Sequence, residues 1–473
     1  MKRKNENTYN GIVLGMLDSQ VLLQPIDSSL SNRNTFVAGG PGSYKTQAFV
    51  LTNVLTETCC SILCTDPKGE VYEKTALIKK QQGYDVFVVN FKDMRFTCHW
   101  NPFDYVRRDN DAGKVANTIV ASRNDPKNKD IWYLSQASLL KALILLATYE
   151  FPVEKRNISG VLDFLQDHNP EADETGIAEL DMEFLNLDRK HPARRAYELG
   201  FAKSKAEARA SIIISLLTTL GDFVDAEVES FTSNSDFMLS ELGERKIIVY
   251  VLIDVIDKTW EGLINLFFSQ CFQELYVLGN KYHAKLPNPL IILLDELPSL
   301  GRFENLEEFL ATCRGYGIAC CPIVQHLTQL YDKYGKDRAE SIIGDCCIKL
   351  CMGGVNETTA KYFYNQMGNS TVKVETGGSS VSKGKNNGSS SKSDSYNYIG
   401  RPLMTADEIM GMDPDTLLCL MISQHPIKLQ KAKQFKLYPG LTDKYETGQE
   451  LYKREMSQKA IEHLTQLKNR TAS

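Results

Sequence analysis

Residues 35–46 read TFVAGGPGSYKT, and the class of fold can be inferred from this segment and its surroundings. An apolar run leads into a glycine-rich turn, the turn closes on Lys-Thr, and residues 47–56 then have the composition of a helix. Backbone N–H groups of such a turn and of the following helix N-terminus cradle phosphates, so this order predicts a phosphate-binding loop. The residues expected to hold a nucleotide are Gly39, Gly40, Pro41, Gly42, Ser43, Tyr44, Lys45 and Thr46.

Two side chains of the loop have separate expected roles, and a third departs from the usual pattern. Lys45 is placed to reach the β- and γ-phosphates of ATP, and Thr46 offers its hydroxyl to Mg²⁺. The residue before the lysine is ordinarily glycine, whereas here it is Tyr44. A side chain at this point is expected to lie near the nucleotide and to change affinity or base preference. The pattern therefore leaves two functions open: hydrolysis, or nucleotide binding with little hydrolysis.

Short apolar runs alternate with helical patterns on both sides of the loop. This rhythm predicts an α/β fold built on a mostly parallel sheet. The expected strands are Gly11–Leu14, Val21–Leu23, Thr35–Ala38, Cys60–Thr65, Asp85–Asn90, Ile247–Ile253, Leu290–Leu294, Ile318–Val324, Cys346–Met352 and Thr416–Ile422.

The sequence pattern changes between the fifth and sixth expected strands. Residues 109–237 have helical periodicity and no convincing strand, so we expect an inserted all-alpha domain that splits a motor domain into residues 10–108 and 238–440. Residues 369–399 are rich in Ser and Gly and are expected to form a disordered loop, because they offer little apolar surface to bury. Residues 441–473 are expected to form a helical tail.

A second chemical motif ends an apolar run at Pro289-Leu-Ile-Ile-Leu-Leu-Asp295-Glu296. A buried parallel strand delivers such carboxylates to its carboxyl end, where ligands bind in α/β sheets. Asp295 is the expected Mg²⁺ ligand, and Glu296 is expected to orient the attacking water. Gln325, at the end of the next strand, is the candidate sensor of the γ-phosphate.

Two further charged residues are candidates with less support from their surroundings. Arg314 precedes the strand of Gln325 and could stabilise the phosphoryl group bound by a neighbouring subunit. It could equally be a surface salt-bridge residue. Asp66 begins the segment Asp-Pro-Lys-Gly-Glu after a strand that we expect beside the strand of the phosphate loop, which places Asp66 near the nucleotide. The alternative is a charged turn.

Composition excludes several classes of protein. The apolar fraction is 42% and the net charge is −5, so the chain is an ordinary globular protein and is not basic as a whole. The twelve cysteines lie mostly in apolar runs without a CxxC pair, which favours buried thiols over a metal site. No stretch of 18 apolar residues occurs, so we expect no membrane span in this chain.

The motifs together carry a family resemblance. GGPGSYKT, DPKGE, LLDELPSLG and VQHLTQL follow one another in this order, and GRPLM comes later with Asp407-Glu408 behind it. In this respect the chain resembles the type IV coupling proteins of bacterial conjugation and type IV secretion, the TraG/TraD-like group. The resemblance runs from about residue 11 to residue 438.

The resemblance implies a RecA-like motor domain with an inserted all-alpha domain that recognises cargo. It implies hexameric rings that use ATP to pass a relaxase-bound single DNA strand, or protein substrates, to a secretion channel. Lys45, Thr46, Asp295, Glu296 and Gln325 match the motor residues of the family. Arg314 matches an arginine presented to the neighbouring subunit, and Asp66 opens the signature loop of the family.

Two points of the resemblance affect the prediction. Members usually begin with two transmembrane helices, whereas we expect no membrane span in this chain. It is therefore expected to be either a naturally soluble member or a chain whose anchor was removed. In both cases we expect it to act on the cytoplasmic side of the bacterial membrane. Another RecA-like DNA translocase is the alternative motor, although it predicts neither the DPKGE loop nor a helical insertion.

Overall fold

The computed structural model describes residues 11–123, 130–168, 177–204, 206–303, 305–382, 389–443 and 447–455. The strands are β1 (Gly11–Leu17), β2 (Gln20–Pro25), β3 (Thr35–Ala38), β4 (Ser61–Asp66), β5 (Asp85–Asn90), β6 (Ile247–Leu252), β7 (Leu290–Leu294), β8 (Ile318–Val324), β9 (Ile348–Cys351), β10 (Asn369–Ser382), β11 (Ser389–Pro402), β12 (Thr416–Met421) and β13 (Ile427–Gln430). The α-helices are α1 (Leu51–Thr56), α2 (Glu70–Gln81), α3 (Asp109–Arg123), α4 (Ile131–Glu150), α5 (Ile158–Asp167), α6 (Glu179–Leu185), α7 (Pro192–Leu199), α8 (Ala206–Leu220), α9 (Ala226–Thr232), α10 (Glu241–Glu244), α11 (Glu261–Lys281), α12 (Leu306–Thr312), α13 (Leu327–Tyr334), α14 (Lys336–Gly344), α15 (Glu357–Met367), α16 (Ala406–Met410) and α17 (Gln434–Leu437).

One large sheet organises the fold. Its strand order is β2-β1-β13-β12-β9-β3-β8-β7-β4-β6-β5, and the seven strands from β9 to β5 run parallel. The remaining four strands pair antiparallel at one side. The predicted α/β class with a mostly parallel sheet is therefore confirmed. The central strands β4, β7 and β8 are buried along their whole length, which explains their nearly continuous apolar sequences.

Helices α3 to α10 occupy the chain between β5 and β6, and no strand element interrupts them in the residues that are described there. They are not a detached unit. One continuous apolar core joins Val89 of β5, Leu143 of α4 and Phe267 of α11. Trp100 meets Phe267 edge-on with ring centroids 5.3 Å apart. The helices of this segment agree with its sequence pattern, and their apolar packing joins the segment to the sheet.

Helix α4 is long and apolar enough, by length and composition, to cross a membrane. In the folded chain 61% of its apolar window is buried, as in the core helix of a globular domain. It is the one helix of the described residues that meets these criteria.

The Ser/Gly-rich segment differs from its prediction as a disordered loop. β10 and β11 form an antiparallel hairpin whose pairs run from Asn369↔Pro402 to Ser382↔Ser389. Residues 383–388 lie outside the described part. Backbone hydrogen bonds along the two strands make up for the shortage of apolar surface, and β-branched and aromatic side chains at the base suit strands. Of the expected helical tail, residues 448–455 are helical, and residues 456–473 lie outside the description.

Candidate nucleotide-binding site

The phosphate loop leaves β3 at the carboxyl edge of the parallel sheet and packs tightly against the turn after β9. The N–H of Gly40 donates to the carbonyl oxygen of Gly353 over 3.1 Å. A Cβ atom added to Gly40 would lie 1.7 Å from the carbonyl oxygen of Gly354, so no larger residue fits there without moving the backbone. Gly42 has φ of +74°, in the left-handed region that favours glycine. The glycines of the motif thus meet steric demands that the turn itself creates.

Tyr44 has φ of +62°, which explains why glycine is usual at this position. Its ring is 41% exposed, and the Nζ atom of Lys433 lies 3.5 Å from the ring centroid. Lys433 also forms an ion pair with Asp415. The ring is therefore held against the segment that follows β13. This side-chain contact, which glycine could not make, offsets the cost of the strained backbone at Tyr44.

Lys45 and Thr46 meet the second motif at the same edge of the sheet. The Nζ atom of Lys45 donates to the carbonyl oxygen of Gly39. Burial lowers the pKa of Lys45 below its usual range, although the carboxylates of Asp295 and Glu296 oppose that shift. The hydroxyl of Thr46 donates to Oδ2 of Asp295 over 3.2 Å. The two motifs, 249 residues apart in sequence, therefore form one cluster.

The acidic pair at the end of β7 is buried, and its two members differ in their contacts. Burial raises the pKa of the Asp295 carboxyl to about 6, and the ammonium of Lys45 opposes the shift. Glu296 has φ of +58°, a second strained position, and its Oε2 accepts from Nε2 of Gln325 over 2.9 Å. The pairing of β7 with β8 brings Gln325 next to Glu296, as the sequence predicts.

Asp66 and Arg314 are placed differently from the loop residues. β4 is separated from β3 by β8 and β7, so the expectation that the strand of Asp66 adjoins the loop strand is wrong. The carboxylate of Asp66 accepts from the N–H groups of Gly69 and Tyr72, at 2.8 and 2.9 Å, and thereby starts α2. Arg314 is exposed and precedes β8, at the amino edge of the sheet and opposite the phosphate loop of its own chain.

These residues fit a nucleotide with Mg²⁺. Ser43 has a buried hydroxyl oxygen without a hydrogen-bond partner in the described structure, beside the desolvated ammonium of Lys45. No group of three or more His, Cys, Asp or Glu side chains that could hold a metal ion is found among the described residues. A cation held by Thr46 and Asp295 would therefore depend on phosphate oxygens for its other ligands, which is how proteins commonly bind Mg²⁺ with nucleotides.

Several residues around the site were assigned no role by sequence reasoning. His326 follows Gln325, and its Nδ1 accepts from the N–H of Asn356 over 3.2 Å. Nε2 of Gln434 donates to Oε1 of Gln47, just after the loop, over 3.2 Å. The glycine pair Gly353-Gly354 was a detectable signal, since two glycines directly after a strand mark close backbone approach. The Lys433 contact had no local signal, because it joins segments almost 400 positions apart in the chain.

Comparison with known proteins identifies the family. The profile of the type IV secretory system conjugative DNA transfer proteins matches residues 15–470. The chain belongs to this family. The conjugal transfer protein TraG of Escherichia coli is 27% identical over 380 residues, which cover 74% of this chain and 58% of TraG. Protein VirD4 of Rhizobium radiobacter is 24% identical over 392 residues, covering 79% of this chain and 53% of VirD4.

The chain thus spans little more than half the length of these relatives. Solved structures give the same fold at lower identity. The bacterial conjugative coupling protein TrwBdeltaN70 is 17% identical with a TM-score of 0.62, covering 90% of this chain and 88% of that one. TrwB in complex with ADP and Mg²⁺ is 16% identical with a TM-score of 0.61, covering 90% of both chains. The RecA-like P-loop fold of this family is the fold of this chain.

Proposed function

We propose that this chain is an ATP-hydrolysing coupling protein that delivers relaxase-bound DNA, or protein substrates, to a type IV secretion channel. The observation that carries the proposal is the cluster in which Lys45, Thr46, Asp295, Glu296 and Gln325 converge at one sheet edge. A relative, TrwB, has been solved with ADP and Mg²⁺, which supports the same ligands here. The proposed place of work is the cytoplasmic face of the bacterial membrane.

Each group of the cluster has a part in the proposed hydrolysis. The loop and Lys45 bind and orient the phosphates, and Thr46 with Asp295 would hold Mg²⁺, which supplies charge neutralisation when bound. Glu296 is the only carboxylate of the pair that contacts Gln325, so these two residues are proposed to position the attacking water and to sense the γ-phosphate. The strained backbone of Glu296 fixes its carboxylate at the edge of the sheet.

The proposed active form is a homo-oligomer, a hexamer by analogy with the family. Arg314 supports this reading, because an exposed arginine at the amino edge can reach only the nucleotide of another chain. An arginine supplied in this way can be worth roughly 10³–10⁵ in turnover. Mixing Arg314→Ala with Lys45→Ala should restore part of the activity if the residue acts between subunits. No restoration, together with activity independent of protein concentration, would return Arg314 to a surface role.

Steady-state ATP hydrolysis with and without single-stranded DNA is the primary test of the function. Hydrolysis that needs Mg²⁺ and rises with added strand is the expected result. DNA-independent and negligible turnover at every protein concentration would reject the motor and favour a docking platform. Tyr44 is the specific observation behind that second candidate, because its strained backbone and its contact with Lys433 occur inside the phosphate loop.

Cargo recognition is proposed for the helical block, residues 109–237, where no nucleotide motif occurs. A relaxase pull-down with the full chain and with variants at exposed residues Leu199 and Ile214 would test this. Loss of relaxase with unchanged nucleotide binding is expected. Cargo retention by variants on this surface, combined with loss by variants on the motor surface, would move the cargo site to the motor.

A further inference from the structure

One face of the β10–β11 hairpin presents aromatic and basic side chains to solvent. The register pairs Lys373 with Tyr398 and Glu375 with Tyr396, so both tyrosines and Lys373 share a face. Tyr396 is 54% and Tyr398 is 68% exposed, and the Nζ atom of Lys373 lies 3.4 Å from the centroid of Tyr396. Val372 and Val374, on the opposite face, are only half exposed. Ile399, paired with Val372, is 48% exposed, so both faces meet solvent, and the face of Lys373, Tyr396 and Tyr398 is the polar-aromatic one.

The hairpin is also a basic segment of an acidic protein. Residues 369–402 contain five basic residues and two acidic ones, a net charge of +3 (5 − 2), whereas the whole chain carries −5. The basic residues are Lys373, Lys383, Lys385, Lys392 and Arg401, and the acidic ones are Glu375 and Asp394. A segment that combines an excess of positive charge with exposed aromatic rings has the composition that attracts a polyanion with planar bases.

The base of the hairpin is connected to the residues that are proposed to sense the γ-phosphate. His326, next to Gln325, accepts from the N–H of Asn356, and Asn356 in turn caps α15 by accepting from the N–H of Thr359 over 3.0 Å. The hydroxyl of Thr359 accepts from the N–H of Leu327 over 3.0 Å. Helix α15 then leads through Gly368 directly into β10. One helix therefore joins the end of β8 to the hairpin.

We propose that the β10–β11 hairpin is a contact arm for single-stranded nucleic acid. Bases stack on Tyr396 and Tyr398, and Lys373 contacts the phosphates. Residues two apart on one strand lie about 7 Å apart, close to the spacing of successive nucleotides in an extended single strand. The inference rests on the proposed function and deepens it, because it names the residues that hold the strand while ATP is hydrolysed at the far end of α15.

The test uses the full chain and a fluorescein-labelled oligothymidylate in an anisotropy titration. Replacing both rings, Tyr396→Ala with Tyr398→Ala, should raise the dissociation constant roughly tenfold or more, since each stacked base contributes substantially to such complexes. The Tyr396→Phe and Tyr398→Phe pair keeps the ring faces and should retain wild-type affinity. Tyr282→Ala removes a tyrosine that is 52% exposed elsewhere, and it should bind like wild type. ATP hydrolysis without DNA should be unchanged in all of these variants.

Every outcome bears on the inference. Equal oligothymidylate affinity of wild type and the Ala pair overturns the contact arm, while DNA-stimulated hydrolysis by both leaves the proposed function standing. Failure of wild type to bind the strand at all overturns both. An alternative outcome is that the variant with both Tyr396→Ala and Tyr398→Ala differs from wild type in its sedimentation coefficient and loses ATP hydrolysis in the absence of DNA. That result would identify the hairpin as a subunit contact and overturn the inference. Equal losses by the Phe and Ala pairs would do the same, because stacking does not need the hydroxyl.

Discussion

The candidate nucleotide-binding site at the carboxyl edge of the sheet and the β10–β11 hairpin both contain charged and aromatic side chains, but these side chains are in opposite surroundings. At the edge, Lys45 and Asp295 are desolvated, and both have pKa values displaced by burial. On the hairpin, Lys373 and Tyr398 are exposed. Charges act strongly where water is excluded and weakly where salt can screen them.

This difference predicts two kinds of mutational response. At the edge Lys45, Thr46 and Glu296 have fixed partners, and Glu296 also has a strained backbone, so single changes should act in an all-or-none manner. On the hairpin the side chains are nearly equivalent and exposed, so single changes should be graded and salt-dependent.

Lys45→Ala should lower ATP turnover by on the order of 10³-fold, because it removes a partly buried cation from the phosphate clamp. DNA-stimulated steady-state hydrolysis is the measurement. Lys336→Ala is a matched control, since this lysine is 72% exposed on α14, and it should keep wild-type turnover. Wild-type activity of the Lys45 variant would remove the phosphate-loop assignment and with it the contrast between the two regions.

Glu296→Gln should bind ATP normally but lower turnover by roughly 10²–10³-fold, because an amide cannot take a proton from the attacking water. The amide oxygen can still accept from Gln325, so the local geometry is preserved. Nucleotide titration and single-turnover hydrolysis separate binding from chemistry. Glu340→Gln, at a half-exposed residue of α14, is the control. Weakened ATP binding with normal turnover of the bound fraction would exchange the roles of Glu296 and Asp295.

Tyr44→Gly and Tyr44→Ala separate backbone strain from the ring contact. Glycine removes both, whereas alanine removes only the ring, so the glycine variant should be more stable than the alanine variant by about 1 kcal/mol in chemical unfolding. Both should have an altered dissociation constant for ATP. Identical stabilities would mean that the left-handed conformation costs nothing at this position, and an unchanged ATP affinity would make the tyrosine neutral for binding.

Lys373→Gln should have the smallest effect. Removing one phosphate contact should weaken oligothymidylate binding modestly and reduce the slope of log affinity against log salt by about 1. Lys336→Gln is the control, because it shows whether the loss of an exposed lysine outside the hairpin changes oligothymidylate binding in the same way. A slope unchanged from wild type would mean that Lys373 does not contact phosphate, and an all-or-none loss would show that the hairpin behaves like the buried edge.

Much of the site could be predicted because its residues lie at the ends of locally recognisable strands. The predicted bounds of β3, β5, β7 and β8 coincide with the observed ones, and each motif follows directly from its strand. β13 was missed, because its four residues have no motif behind them, whereas the equally short β3 leads into the phosphate loop. The hairpin was missed since its strands gain stability from each other's backbone rather than from an apolar face.

The phosphate loop, the acidic strand end and the α/β class could be recognised in the sequence, because these depend on short-range order: apolar runs, glycines and the charges directly behind them. The order of the strands in the sheet became known from the folded chain alone. In the folded chain β8 and β7 lie between β3 and β4, and the Asp66 carboxylate accepts a hydrogen bond from the backbone just before α2. The ammonium of Lys433 lies over the ring of Tyr44. The physical reason is that strand pairing and side-chain contact join residues hundreds of positions apart, where no local pattern specifies the partner.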